Sequence, residues 1–346
     1  MQLHLNNHDR MQWDAFCATQ EKNDRVTRLL ARYLNEMPRF VTRRMVRDLA
    51  RKVGIPEEIA YRTLFSAAIG LDTASNTADR QLEKEYLATG LRPLDPSEWT
   101  ADAYLQTISF PAAKDGNWTF CTETYTPYEP FVCNSPRRTS DGKEIPQIGF
   151  FKETYRFPAV RENGLEWMAV KPNEIATMRE PIGSAHGNVV AFGLGLGYFA
   201  FHVSEKADVS SVTVVERDPA VIDLFRAYLL PQFPNREKIT IVQADAFDYA
   251  EHTLPQTAAD FAFVDLWHDQ SDGLPLYLRF RRLEPISPET KFCYWIETTI
   301  LSSLRRMVFD RIRDNGDGDI RSFSEIGTML SDDYLRTLAP KVRQIQ

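Results

Sequence analysis

The chain has 346 residues, 43% of them hydrophobic, and a formal net charge of −7. This length allows two domains with a sizeable core and a small third unit, while the acidic balance excludes a chain built throughout to bind a polyanion. Four cysteines without a CxxC pair exclude a disulfide framework, the opening MQLHLNNHDR lacks the regions of a signal peptide, and no apolar run approaches the ~20 residues of a membrane span, so a cytoplasmic protein without membrane contact is expected.

Residues 1–116 are expected to form a mainly helical domain. Val26, Leu29, Leu30, Tyr33 and Leu34 recur at helical spacing between Asn23 and Met37. A second helix follows from about Val41 to Val53, broken by Gly54-Ile55-Pro56. A third opens on Glu57 and Glu58, acidic residues suited to a helix N-terminus. Residues 1–70 hold 12 Lys and Arg against 8 Asp and Glu, so this segment is basic within an acidic chain. Arg39, Arg43, Arg44, Arg47, Arg51 and Lys52 form either a solvated face or a face for a nucleic acid or acidic partner. The two glutamates opening the third helix would meet phosphate badly, which weighs against DNA. Self-association is left open by the sequence.

Residues 117–184 are expected to be a β-rich segment with a linking helix. WTFCTETYTPYEPFVC, IGFFKETYRFPAV and LEWMAV are rich in Thr, Tyr, Phe and Trp and cut by Pro and Gly, as short strands and hairpins are. Pro172-Asn173-Glu174 then opens a helix that ends before Gly183.

From residue 185 to 346 the pattern alternates. Apolar runs at Val189–Phe192, Val212–Val215, Ile239–Val242, Phe261–Val264 and Phe292–Ile296 are separated by amphipathic segments. Near-continuous apolar strands alternating with helices predict an α/β fold of Rossmann-like type, a parallel sheet covered on both faces. The stretch from Asp314 to Asp319 lacks the residue order of a calcium loop and is expected to be a solvated turn. No Cys/His cluster supports a metal site.

The first of these strands runs into Gly193-Leu194-Gly195-Leu196-Gly197-Tyr198. Glycines suit a loop that turns sharply and admits a ligand against the backbone, and the following helix N-terminus offers N–H groups to an anion. On its own the loop is ambiguous. Gly195, Gly197 and Ala200 also fit a dinucleotide pattern, with Glu216 about 20 residues on, and glycines at such a turn can serve the fold alone. The next strand ends sharpen the reading. Glu216-Arg217, Asp245-Ala246 and Asp265 stand at three consecutive strand C-termini, the edge at which open α/β sheets bind ligands. A carboxylate at the first can accept from ribose hydroxyls and one at the second from an adenine amino group.

The run GLGLGY, VVERDPAVI, LLPQFPNREKITIVQADAFDY and DFAFVDL resembles class I S-adenosylmethionine (SAM)-dependent methyltransferases, and within them is most similar to the polyamine (spermidine) synthase branch. The resemblance implies SAM as cofactor. It implies that Gly193, Gly195 and Gly197, with Leu194 between them, wrap the methionyl part, that Glu216 and the adjacent Arg217 lie at the ribose, that Asp245 with Ala246 binds adenine, and that Asp265 sits near the reacting centre. The chain departs from the pattern at Ala191, where many methyltransferases carry an acidic residue, and at Asp265 and Asp269, which are four apart where polyamine synthases space two aspartates by three. It also shows no final β-hairpin.

A methyl on a sulfonium is already activated, so alignment is the main task of such a site. A base is needed where the acceptor must lose a proton. Asp265, His268 and Asp269 are the catalytic candidates, His268 because imidazole titrates near neutrality. Trp267 either stacks on a flat acceptor or packs. The sequence therefore predicts a SAM-dependent methyltransferase with an unidentified methyl acceptor. Aminopropyl transfer and a non-catalytic SAM-binding scaffold with a partner-binding helical N-terminus are the alternatives, and a nicotinamide enzyme is a minor fourth.

Overall fold

The computed structural model describes residues 4–314 and 320–342. The expected turn at 315–319 lies outside the described residues.

A 30-residue helix, Asn7–Glu36, opens the chain, with the Asn6 side chain accepting from the Asp9 N–H at 2.9 Å. Helices Arg43–Val53 and Glu57–Ala68 follow. The first of them ends at Gly54, whose φ of 73° is the left-handed cap a glycine supplies without a Cβ penalty. Among the described residues, twelve strands then build three sheets. Strands β1 (Leu91–Pro93), β4 (Pro130–Arg138) and β5 (Glu144–Phe150) form one. Strands β2 (Lys114–Asp115), β3 (Trp118–Tyr125), β6 (Tyr155–Glu162) and β7 (Leu165–Ala169) form an antiparallel second. The third holds β8 (Gly187–Phe192), β9 (Val209–Glu216), β10 (Ile239–Gln243), β11 (Phe261–Val264) and β12 (Lys291–Tyr294), all parallel, in the order β10-β9-β8-β11-β12.

That third sheet is the Rossmann-like unit expected from the alternating pattern. Its first strand is central and the order reverses there, which opens a crevice at the strand C-termini. All four residues of β11 and the last four of β8 are buried, which is why these strands read as unbroken apolar runs. After the Glu297–Asp314 helix only short helices, Phe323–Met329 and Asp332–Leu338, are assigned among the described residues, so β12 remains the sheet edge. The last strand is shorter than predicted. It stops at Tyr294, and Ile296 turns the chain with φ 47°, a left-handed value rare for a β-branched residue.

The division expected at residue 116 cuts through packed structure. β1, from the helical region, pairs in parallel with β5, and Tyr61 of the third helix packs on Phe150 with ring centroids 4.2 Å apart. One core thus joins the N-terminal helices to the three-stranded sheet. Another joins Trp13 to Phe309, Ile312 and Ile326 near the chain's end. The basic N-terminal run is partly committed to intramolecular carboxylates. Arg39 pairs with Glu129 at 2.9 Å, Arg43 with Glu153, and Arg47 with Glu57 at 3.4 Å. No helix among the described residues is long and apolar enough to cross a membrane.

Candidate functional site

A cavity of about 400 Å³ opens at the C-terminal edge of the five-stranded sheet, roofed by β7 and closed at its base by the start of the Pro172–Ser184 helix. That volume falls within the range of small-molecule sites. Its walls grow from four consecutive strand ends.

β8 delivers the glycine loop. Gly193, Gly195 and Gly197 take φ values of 98°, 51° and 75°, all in the left-handed region. A Cβ on Gly193 would lie 2.0 Å from the Asp265 carbonyl oxygen, so the loop can pass β11 only as glycine. The Gly193 N–H donates to the Val215 carbonyl at 2.9 Å, tying the loop to β9.

β9 delivers Glu216. Its Oε2 accepts from the Leu194 N–H at 3.1 Å, and its Oε1 accepts from the Arg217 and Asp218 N–H groups at 2.8 and 2.9 Å. Three backbone donors fix the carboxylate in place, and a carboxylate has about four acceptor positions, so one stays available to a ligand hydroxyl. β10 delivers Asp245, which caps the short helix behind it by accepting from Phe247 and Asp248 N–H groups at 2.9 and 3.1 Å. β11 delivers Asp265, whose N–H donates to the Phe192 carbonyl at 2.9 Å.

A second carboxylate, Glu174 from the first turn of the Pro172–Ser184 helix, lines the same cavity as Asp265. Glu174 is only 7% exposed. Burial pushes its carboxyl up to about 7, and the neighbouring Glu166 adds to the effect against Lys171. Burial also pushes Asp265 well above the ordinary carboxylate range, with Glu174 as the second cause. Lys171, whose charge pulls the Glu174 carboxyl back down, also lines the cavity, and its Nζ donates to Glu166 at 2.6 Å.

The rim is aromatic and ionic. Trp167 of β7 meets the His268 ring edge-on, 4.0 Å between centroids. His268 Nδ1 lies 3.2 Å from an Asp272 oxygen that also accepts from the His268 N–H. Trp267 is buried and packs its ring on Gly273, where a Cβ would lie 2.9 Å from the indole. Trp295, just past β12, lines the far wall and donates its Nε1–H to Thr177 Oγ1 at 2.9 Å.

Gly193, Leu194, Gly195, Glu216, Arg217, Asp245, Ala246, Asp265 and His268, all singled out from the sequence, line this one cavity. Gly197 stands behind it as the cap residue of the Tyr198–Ser204 helix. Asp269 is placed elsewhere. It caps the Gln270–Arg281 helix, accepting from Ser271 N–H at 2.7 Å in a capping box with Asp272, so the pair with Asp265 expected from spacing is not formed at the cavity wall. The sequence reading missed Glu174, Lys171 and the roof residues Glu166, Trp167 and Met168. Among the described residues no group of three or more His, Cys, Asp or Glu could hold a metal ion.

No protein-family model matches the sequence, and no curated protein does. Among solved structures, the chain is similar to a spermidine synthase from Thermotoga maritima, with 16% identity, 44% of this chain and 60% of that chain covered, and a TM-score of 0.32. It is similar to a spermidine synthase in complex with the transition-state analogue AdoDATO, with 18% identity, 40% and 54% coverage and a TM-score of 0.31. A structure assigned as an O-methyltransferase from Klebsiella pneumoniae gives 21% identity, 27% and 41% coverage and a TM-score of 0.22. The chain thus spans less than two thirds of each of these structures.

Proposed function

We propose that this chain is a SAM-dependent transferase, and that methyl is the group it transfers to an acceptor held above Asp265. The observation that carries the proposal is convergence: a glycine loop with three left-handed residues and the carboxylates of Glu216, Asp245 and Asp265 line a single cavity at the reversal point of the sheet. Any one acidic strand end is ordinary; three around one cavity suit a nucleoside with polar groups at both ends.

The residues fit the cofactor in stated places. Glu216 would accept a ribose hydroxyl while its backbone donors hold it still. Asp245, exposed beside Ala246, would accept from the adenine amino group. SAM would supply an activated methyl on a sulfonium. The chain's own task is then to align the acceptor and to receive a proton if the acceptor carries one. Trp267 and Trp295, both buried, line the cavity together with Asp265.

One observation favours aminopropyl transfer. The Leu196 N–H, a loop donor suited to a methionyl carboxylate, points instead at Met168 Sδ, 3.2 Å away. Decarboxylated SAM has no carboxylate to displace that contact. Ala191, buried in β8 where many methyltransferases carry an acidic side chain, favours the scaffold reading. Titration with SAM and decarboxylated SAM, followed by transfer of labelled methyl from SAM to a cell extract, separates the three. Tighter binding of SAM with label transfer supports the proposal. Preference for decarboxylated SAM overturns it in favour of aminopropyl transfer, and binding without label transfer overturns it in favour of a scaffold.

A further inference from the structure

Strand β7 brings one side chain against the middle of the glycine loop. Met168 Sδ accepts from the Leu196 N–H at 3.2 Å, and a Cβ added to Gly195 would lie 2.0 Å from the same sulfur. Leu196 is fully buried, so its N–H is shut off from water and takes the thioether as its partner. A thioether is a weak acceptor for so obligatory a donor. The neighbouring loop donors are better served. Gly193 and Gly197 donate to the carbonyls of Val215 and Leu194 at 2.9 and 2.8 Å, and Leu194 donates to Glu216 at 3.1 Å. The loop itself is held, because the buried Tyr104 donates its hydroxyl to the Leu196 carbonyl.

Met168 is placed to move where the loop is not. It sits on the edge strand of its sheet, opposite Val160 of β6. The ladder breaks directly beside it: Glu166 pairs with Arg161 and Met168 with Val160, which leaves Trp167 as the extra residue of a β-bulge. Bulges of this kind re-aim side chains next to ligand sites. Here Trp167 meets the His268 ring, 4.0 Å between centroids, while Met168 meets the loop. Both residues line the cavity. A flexible thioether side chain can swing aside while its strand stays in place.

We infer that Met168 Sδ and the methionyl carboxylate of the cofactor compete for the Leu196 N–H, which makes Met168 the residue that sets how far the site favours nucleosides carrying that carboxylate over nucleosides without it. The inference rests on the proposed cofactor reading and adds a specificity determinant to it. A carboxylate forms the stronger bond with a backbone N–H, because the acceptor is ionised. SAM gains this donor only by displacing the thioether, and the contact that is lost offsets part of the gain. Decarboxylated SAM has no group for this N–H and leaves the thioether in place. A change at Met168 therefore acts on one nucleoside and spares the other.

The test compares two variants that shift the competition in opposite directions. Met168→Ala removes the internal acceptor. Met168→Gln puts an amide oxygen, a stronger acceptor, on a side chain of similar length. Dissociation constants of SAM and decarboxylated SAM are measured by calorimetry on the wild-type chain and both variants. Met168→Ala is expected to bind SAM at least about fivefold more tightly than the wild type, and Met168→Gln to bind it more weakly by a similar factor, while decarboxylated SAM stays within about twofold throughout. A merely structural role for Met168 would move both ligands together. Equal shifts for the two ligands, an unchanged SAM constant in Met168→Ala, or weaker SAM binding in Met168→Ala overturns the inference and leaves the cofactor reading standing, because the nucleosides still bind. Failure of all three proteins to bind either nucleoside overturns both.

Discussion

Tyr104 donates its hydroxyl to the backbone carbonyl of Leu196, so a residue from the helical N-terminal region holds the middle of the glycine loop. Tyr104 is fully buried and packs edge-on against Tyr198 and Phe201 of the helix that the loop begins. On the same helix Tyr198 donates to Asp102 Oδ2 at 2.7 Å. The N-terminal region therefore holds the glycine loop through its backbone. Tyr104→Phe removes the donor and leaves a buried carbonyl unpaired, which costs about 1–3 kcal/mol. Chemical denaturation should show that loss, and S-adenosylhomocysteine binding should weaken with it. Unchanged stability would mean the carbonyl finds another donor.

The glycines predict two different outcomes. Alanine at Gly193 would drive a Cβ to 2.0 Å from a backbone oxygen that cannot move independently, at a left-handed φ of 98°. Gly193→Ala is expected to destabilise the chain by more than about 2 kcal/mol, with no single-site rescue.

At Gly195 the obstacle is the Met168 side chain, with Sδ 2.0 Å from the added Cβ. A flexible thioether can be cut back. Gly195→Ala should be destabilising alone and substantially restored by Met168→Ala. A double-mutant cycle measures the coupling, and strictly additive effects would contradict the contact.

Glu174 makes stability depend on pH in a direction unusual for a carboxylate. Its folded-state carboxyl is raised to about 7, so the folded chain holds a proton that the unfolded chain releases at lower pH. Stability from this group is present below its unfolded value and is lost as pH rises through about 7. Glu174→Gln should match the wild type near pH 5 and be more stable at pH 8 by on the order of 2 kcal/mol. Equal melting temperatures at pH 8 would contradict the desolvation of Glu174.

Arg305 ties the chain's end to the three-stranded sheet. Its side chain is buried, and it donates to Glu144 at 2.7 Å, to the Leu330 carbonyl at 2.9 Å and to Asp332. Arg305→Met leaves the buried Leu330 carbonyl unpaired, while Glu144 and Asp332 are exposed enough to be hydrated, and should cost about 1–3 kcal/mol by denaturation. Proteolysis should then cut first within residues 323–342.

The acidic strand ends that line the cavity were legible in the sequence because carboxylates after apolar runs are a local signal. Glu216 and Asp265 each sit one position past an apolar run, after Val215 and Val264, and Asp245 sits three past Val242. Asp269 misled because spacing from Asp265 says nothing about direction. The better signal was Asp272 three residues later, the acidic pattern of a capping box. Glu174 was not legible as a site residue. An acidic residue in a first helical turn is ordinary, and only the packing of that helix on β4 and the Tyr198–Ser204 helix places it on the cavity wall. The pairing across residue 116 was illegible for a similar reason: β1 is three residues long and finds its partner, β5, more than fifty positions away.

The central claim, that this cavity binds a SAM-type nucleoside through Glu216, is tested most directly by isothermal titration of S-adenosylhomocysteine into the wild-type chain and Glu216→Ala. Saturable one-site binding to the wild type and at least about tenfold weaker binding to the variant, about 1.4 kcal/mol, are expected. No binding to the wild type at high micromolar concentrations, or equal binding by the two proteins, would contradict it.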